Sequence, residues 1–384
     1  MKVLGVVLEL NPFHNGHEYF LKEAQKKVQP ELTIAIVSGN FTMRGDAMVI
    51  DKWTKAQILL DYNVDIVLEL PFLATVNSAD FFTYNSINTL NDMQITDLAF
   101  GVELNDLPKL KEIITLLNSK TYNDLIKHFL SKGHSYSTSS YKAIQELTKD
   151  EVIIQNCTLP NNTLGIGYLQ AIEKINPNIN PTLIKRIKAN YYDESIIDDK
   201  INSATALRKL LENYEDISSY TPNISYNYFN PKTINHNLLL LLRYVFTINK
   251  DFSNVFGVSE GIENRIESFL NKVETYDDLI ENVKTKRYPP NRIKRLLLHL
   301  ILGIDKAYEN KYHHYLRILA MNKKGEKYLN TLPKDTKKSI ITTFKSQNHY
   351  LVDIELKASK LYSLLVNKPN LYLQEFNVPY IGGK

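Results

Sequence analysis

Hydrophobic and polar positions change their period along the chain, and the change divides it near residue 220. Before that point, short apolar runs alternate with stretches whose apolar positions recur every three or four residues. "VLGVVLEL" (Val3–Leu10) is short, apolar and β-branched, as in a buried parallel strand. Helical period follows from His17 to Val28, with Phe20, Leu21, Ala24 and Val28 on one face. Leu32–Gly39 reads as a second strand, Asp51–Tyr62 as a helix with Trp53, Ala56, Leu59 and Leu60 inward, and Asp65–Pro71 as a third strand. A helix around Ala79–Met93, a strand at Thr96–Gly101 and a helix near Leu107–Leu117 continue the alternation. Residues 120–160 are mixed and read as helical, Asn162–Ile175 as a helix, Pro181–Ile187 as a last strand and Ser203–Leu211 as a helix. Strands alternating with helices imply βαβ units and a parallel sheet, so the expected class is α/β with a Rossmann-like, doubly wound domain.

"YTPNISYNYFNPKT" (Tyr220–Thr233) lacks helical period and is rich in Pro, Asn and aromatics, which marks a junction. Beyond it the patterns are mostly helical: "NHNLLLLLRYVF", "GIENRIESFLNKV", "NRIKRLLLHLILGI" and "KASKLYSLLV". Two domains are therefore expected, 1–220 and a mainly α-helical 221–384, a division that suits 384 residues. Charge sharpens the division. Residues 1–220 hold 21 Lys+Arg against 27 Asp+Glu, a balance of −6, and the remainder 25 against 15, a balance of +10. A basic half suggests a polyanionic partner; a solubilising surface is the plain alternative. Cys157 is the only cysteine, which excludes an intrachain disulfide and a cysteine-built metal site. No apolar run approaches the ~20 residues of a membrane span. The chain opens on a strand pattern rather than a leader, so it reads as cytoplasmic.

"HNGH" (His14–His17) falls where the first strand should turn into the first helix. Ligands of open α/β sheets bind outside the carboxyl ends of strands, and a helix N-terminus suits phosphate. Gly16 lets a nucleotide approach, Pro12 stiffens the turn and Asn11 can cap it. Two imidazoles there could stabilise charge developing on a pentacoordinate phosphorus. The plain alternative is a pair of turn histidines, one capping and one buried. His-x-x-His is poor helical spacing for chelation and no third ligand stands out, so no metal site is expected.

"NPFHNGH", followed by "SGNFTMRGDAMVIDKWTKA", closely resembles the bacterial tRNA(Met) cytidine acetate ligases of the HxGH nucleotidyltransferase superfamily. The likeness continues in order through "AFG" (Ala99–Gly101), "LPNNTLGIGYLQAI" (Leu159–Ile172), "IKR" (Ile184–Arg186), "NSATALRKLL" (Asn202–Leu211) and "KTKRYPPNRIKRLLLHLILGI" (Lys284–Ile304). It implies that ATP and free acetate form acetyl-adenylate and pyrophosphate. The acetyl group then passes to N4 of the wobble cytidine, C34, of elongator tRNA(Met), without acetyl-CoA or a covalent enzyme intermediate. Mg2+ is expected as the counter-ion of ATP. A small-molecule adenylyltransferase, an acetate ligase acting on a protein thiol, and a noncatalytic RNA-binding protein are the competing classes.

The resemblance places an ATP site on Val7-Leu8-Glu9-Leu10-Asn11-Pro12-Phe13-His14-Asn15-Gly16-His17-Glu18-Tyr19-Phe20, with Gly101, Asn161 and Arg186. Gly101 would leave room for adenine or ribose, Asn161 would read a base edge or ribose or else cap a helix, and Arg186 would neutralise phosphate. Ser38, Gly39 and Asn40 are expected to form a polar lip over the acyl-phosphate. Arg44 would hold acetate or pyrophosphate, and Lys52 would reach phosphate or lie on a solvated face. "SATALR" (Ser203–Arg208) resembles a phosphate-binding motif at a helix start, through Ser203, Thr205 and Arg208. The family pattern usually has Tyr where this chain has Leu10, and small glycines where it has Lys188 and Asn190. In the second half, Lys284, Lys286, Arg287, Arg292, Lys294 and Arg295 surround one Tyr without an acid, which suits RNA; a solvated helix end is the alternative. Neither the oligomeric state nor the residue that touches C34 follows from the sequence.

Overall fold

The computed structural model of the chain describes residues 1–186, 202–222, 227–310, 312, 314–345, 347 and 349–382. Its strands are β1 (Val3–Leu8), β2 (Leu32–Ser38), β3 (Ile66–Leu70), β4 (Asp97–Val102), β5 (Asn180–Lys185), β6 (Leu316–Asn322), β7 (Ile340–Ile341) and β8 (Tyr380–Gly382). They form one sheet in the order β5-β4-β1-β2-β3-β6-β7, with β8 also on β6. The first five run parallel, and β6 joins β3 antiparallel. Strand order reverses between β1 and β4, so a crevice opens at their carboxyl ends.

Eight helices frame the crevice and tie the two halves together: α1 (Asn15–Val28), α2 (Lys52–Asp61), α3 (Ala79–Asp92), α4 (Pro160–Ile175), α5 (Ala204–Glu212), α6 (Pro231–Ile248), α7 (Pro290–Leu302) and α8 (Tyr350–Leu365). Strand alternation sends Leu4, Val6, Ala35 and Val37 to the face covered by α1 and α2. Val3, Ile34 and Ile36 go to the opposite face, under α3 and α4. The α/β, doubly wound expectation holds, with sequence boundaries shifted by one or two residues as caps dictate.

The helices α6, α7 and α8 share a core with Phe41, Met48, Phe72 and Val76 of the first half. The second half is not purely helical, however. "LRILAMN" is β6, buried almost throughout, and it extends the parallel sheet at its β3 edge. A short continuous apolar run carries no period that separates a strand from a buried helix, and flanking helices bias the choice.

Candidate active site

The turn after β1 is built for a ligand. Leu10 is left-handed, with φ 59°, an uncommon conformation for a branched side chain. Its side chain is fully buried in a core that β1 and α1 share, and the residue also borders the crevice. Asn11 turns inward, its Oδ1 accepting from the Val49 amide at 2.8 Å. His14 is the N-cap of α1: its Nδ1 accepts from the Gly16 amide at 3.1 Å, and the His17 Nδ1 accepts from the His14 amide at 3.3 Å. The imidazoles lie 3.9 Å apart between centroids. Capping and ligand binding are therefore compatible. With each Nδ1 an acceptor, the neutral tautomer carries its proton on Nε2, which leaves two N–H donors. Burial, then Arg186, pulls the His17 pKa to about 3. Burial, then His17, Arg186 and Arg208, holds His14 well below the ordinary range. Both are neutral at pH 7.

A second helix start faces them. Ser203 caps α5, its Oγ accepting from the Ala206 amide at 3.0 Å. Arg208 donates to the Asn11 carbonyl at 2.8 Å and to the Thr205 hydroxyl at 3.2 Å, tying α5 to the β1 turn. Between these elements lies a cavity of about 220 Å³. Of the residues expected at the site, Val7, Leu8, Glu9, Leu10, Asn11, His14, Gly16, His17, Tyr19, Phe20, Arg44, Gly101, Asn161, Arg186, Ser203 and Thr205 line it. A Cβ on Gly101 would meet only the Arg186 Cγ, at 3.9 Å, so no protein atom demands glycine there. Asn161 is not a cap; Leu159 is, and Asn161 links the Glu103 carboxylate to the Arg186 guanidinium, which donates to it at 3.3 Å.

Other expected residues point elsewhere. Phe13 packs on Tyr62 and His17, Asn15 donates to the Ser219 carbonyl, Glu18 pairs with Lys22 at 2.6 Å, and buried Pro12 does not border the cavity. Lys52 reaches no phosphate and lies on no solvated face. It is 1% exposed, 2.7 Å from Glu69 and 2.5 Å from Glu375, inside a cluster completed by Glu355 and Arg317. Asn40 accepts from the Lys52 backbone, and Ser38 and Gly39 spend their carbonyls on Lys55, so these three form no lip. The space beside Asn40 and Lys52 is about 10 Å³, enough for one water and too small for acetate. Lys188 and Asn190 lie outside the described residues.

Several lining residues carry no sequence signal of their own. Residues 40–48 form a tight hairpin closed by a Phe41–Ala47 bridge, which brings Met43 and Asp46 to the cavity beside the expected Arg44. Phe82 of α3 and Leu164 and Tyr168 of α4 supply an apolar wall. Lys55 is fully buried and donates to the carbonyls of Glu9, Ser38 and Gly39 at 3.2, 2.7 and 2.7 Å, joining the ends of β1 and β2. Burial pulls its pKa to about 7.

The basic segment divides in two. Lys284, Lys286, Arg287 and Arg292 are exposed, with Lys284 paired to Glu281 and Arg287 to Glu260 at 2.8 Å. Arg292 lies 4.1 Å over the Tyr288 ring. That ring is only 4% exposed, so it is not open for a base to stack upon. Lys294 and Arg295 turn the other way, onto the hairpin. Lys294 pairs with Asp46 at 2.7 Å, and Arg295 donates to the Met43 carbonyl at 3.4 Å. Gly45, with φ 90°, lets the hairpin rest on the α7 backbone, where a Cβ would come within 2.5 Å of the Arg295 nitrogen.

The family model described as HIGH Nucleotidyl Transferase matches residues 1–376. A tRNA(Met) cytidine acetate ligase of Clostridium botulinum (strain Kyoto / Type A2) is 33% identical over 408 residues, covering 99% of this chain and 98% of its own. One from Thermosipho africanus is 35% identical over 371 residues, covering 92% and 88%. The crystal structure of apo TmcAL from Thermotoga maritima superposes with a TM-score of 0.88 at 29% identity over the whole of both chains. The form bound with alpha-thio ATP gives 0.86 at 28% identity, again over the whole of both.

Proposed function

Because the chain belongs to the tRNA(Met) cytidine acetate ligases, within the HIGH nucleotidyl transferases, we propose that it activates acetate with ATP and acetylates a tRNA cytidine. One observation carries the chemistry: two helix N-termini, two neutral imidazole donors and the guanidiniums of Arg186 and Arg208 converge on one cavity. An acetate oxygen attacks the α-phosphorus, the bond to pyrophosphate breaks, and acetyl-adenylate remains. His14 and His17 donate Nε2–H to oxygens that gain charge in the pentacoordinate transition state, and the helix ends and arginines add positive potential. Neutral imidazoles donate without bringing a buried charge that repels the neighbouring arginines before ATP arrives.

ATP enters with Mg2+ as its counter-ion. Mg2+ commonly binds through substrate phosphates with few protein ligands, which suits this role. Arg44, on the hairpin tip, serves acetate or pyrophosphate. The exposed Lys284, Lys286, Arg287 and Arg292 are the surface proposed for elongator tRNA(Met), and Lys294 and Arg295 join that surface to the catalytic hairpin. Among the described residues no helix is long and apolar enough to cross a membrane, and a tRNA substrate supports a cytoplasmic setting.

The test is mass spectrometry of nucleosides from elongator tRNA(Met) incubated with the protein, ATP and labelled acetate. Labelled N4-acetylcytidine at the wobble position is expected, and none when acetyl-CoA replaces ATP and acetate. Product from acetyl-CoA alone overturns the ligase reading.

A further inference from the structure

The cavity has two chemically different ends. Asn161, Leu164 and Tyr168 fall on one face of α4 and line it in sequence, with about 10 Å of helix rise between the first and the last. At the Asn161 end stand Arg186, His14 and His17. At the Tyr168 end, Phe82, Leu164 and Met43 form apolar walls, and Glu9 brings a carboxylate near enough to Tyr168 to act on its hydroxyl. Among the described residues only one other carboxylate borders the cavity, that of Asp46, and it is paired with Lys294.

Glu9 is fixed and half-engaged. Its Oε1 accepts from the Met43 amide at 2.7 Å and from the Ser38 hydroxyl at 3.3 Å. Among the described residues Oε2 accepts no hydrogen bond. An oriented carboxylate oxygen between apolar walls is a receptor for a flat ring that carries an amino group, and Glu or Asp pairs in this way with the cytosine N4 amine.

Resting on the acetylation of a tRNA cytidine, we propose that the Tyr168 end is the subsite for the acceptor cytosine and that Glu9 is its general base. Glu9 Oε2 accepts a hydrogen bond from the N4 amine and orients it. The N4 lone pair attacks the acetyl carbonyl, the N4–C bond forms, and the C–O bond to the α-phosphate breaks with its electron pair leaving on AMP. The proton lost from N4 passes to the Glu9 carboxylate. Burial raises the affinity of this carboxylate for a proton above that of an ordinary glutamate, although Met43, Arg44, Lys55 and Ser38 oppose the shift, which makes it the stronger base.

Glu9→Gln keeps an acceptor for the Met43 amide and removes the basic oxygen. Acetate-dependent exchange of pyrophosphate into ATP reads the first half-reaction, and single-turnover acetylation of tRNA reads the second. Transfer is expected to fall by about 10²- to 10⁴-fold, the span of a lost general base, with adenylation changed less than about tenfold. Glu9→Asp, which keeps a carboxylate, should recover part of the transfer rate. Equal losses in both half-reactions would assign Glu9 to ATP, through the adenine amine, and overturn the proposal; so would a Glu9→Gln enzyme that transfers at the wild-type rate. A wild-type protein that forms no acetylated cytidine from ATP and acetate instead overturns the function on which the proposal rests.

Discussion

Two clusters of ionisable side chains sit at neighbouring strand ends, and they differ in whether a cavity reaches them. In the sealed one, Lys52 and Arg317 meet Glu69, Glu355 and Glu375, all at most 3% exposed. Burial, then Glu69, pushes the Glu355 carboxyl well up, while Lys52 and the Phe72 amide oppose the shift. Ser359 and the Phe72 amide donate to the carboxyls of Glu375 and Glu355. In the open one, the neutral His14 and His17 line a cavity of about 220 Å³ together with Arg186 and Arg208. A closed cluster, in which Lys52 and Arg317 both pair with Glu375, holds the C-terminal segment to the sheet. An open cluster of guanidiniums and neutral N–H donors on a cavity offers its donors to an entering ligand.

Removing one member of each cluster should separate the roles. Lys52→Met leaves buried carboxylates without a partner, and chemical denaturation should show a loss of about 3–5 kcal/mol, with ATP affinity of the folded protein unchanged. His17→Ala should do the reverse. Acetate-dependent pyrophosphate exchange should fall by about 10²- to 10³-fold, as when one transition-state donor is lost. Stability should change by no more than the ~1 kcal/mol of a helix cap. A Lys52→Met protein that is stable but weak for ATP would erase the distinction.

The same contrast divides the basic segment. Neutralising Lys286, Arg287 and Arg292 together should flatten the plot of log K for tRNA against log salt by up to ~3 units, or ~2 if the contacts are single-stranded. Adenylation should be spared. Lys294→Met, which breaks the pair with Asp46, should leave that slope nearly unchanged and slow catalysis instead. An unaltered slope in the triple variant moves the RNA surface elsewhere.

A smaller effect lies in pH. In the unfolded chain His17 takes a proton near its ordinary value of 6.5, whereas in the folded protein it resists down to about 3. The unfolded state therefore binds more protons across that window, and stability falls as pH falls through it. Wild type should lose more stability between pH 7 and pH 5 than His17→Ala does, measured by denaturation at both values. A steeper loss in the variant would mean that His17 is charged in the folded protein.

What the sequence discloses depends on the range of the interactions. The strand-to-helix turn at His14-Asn15-Gly16-His17 is local, so pattern and motif place it and the structure returns it as a cap beside the cavity. Gly101, Arg186 and Ser203 sit at ends of elements that alternation marks out, and resemblance supplies their chemistry. Lys52 reads as a cation at a helix start because two of its three buried partners come from the far end of the chain. Lys294 reads as RNA-facing because Asp46 lies 248 residues earlier. Charge and period describe a residue's own element, while the sign of its surroundings is set by tertiary contacts that neither records.

At the centre stands the attack of acetate on the α-phosphorus of ATP at the open cluster. Incubation with ATP, elongator tRNA(Met) and acetate carrying 18O in both oxygens, followed by mass spectrometry of the nucleotides, tests it most directly. Attack by acetate leaves one of its oxygens on the phosphate when the acetyl group departs, so AMP should carry one 18O for each cytidine acetylated. Acetylated tRNA accompanied by unlabelled AMP, or by label in pyrophosphate, would contradict this mechanism.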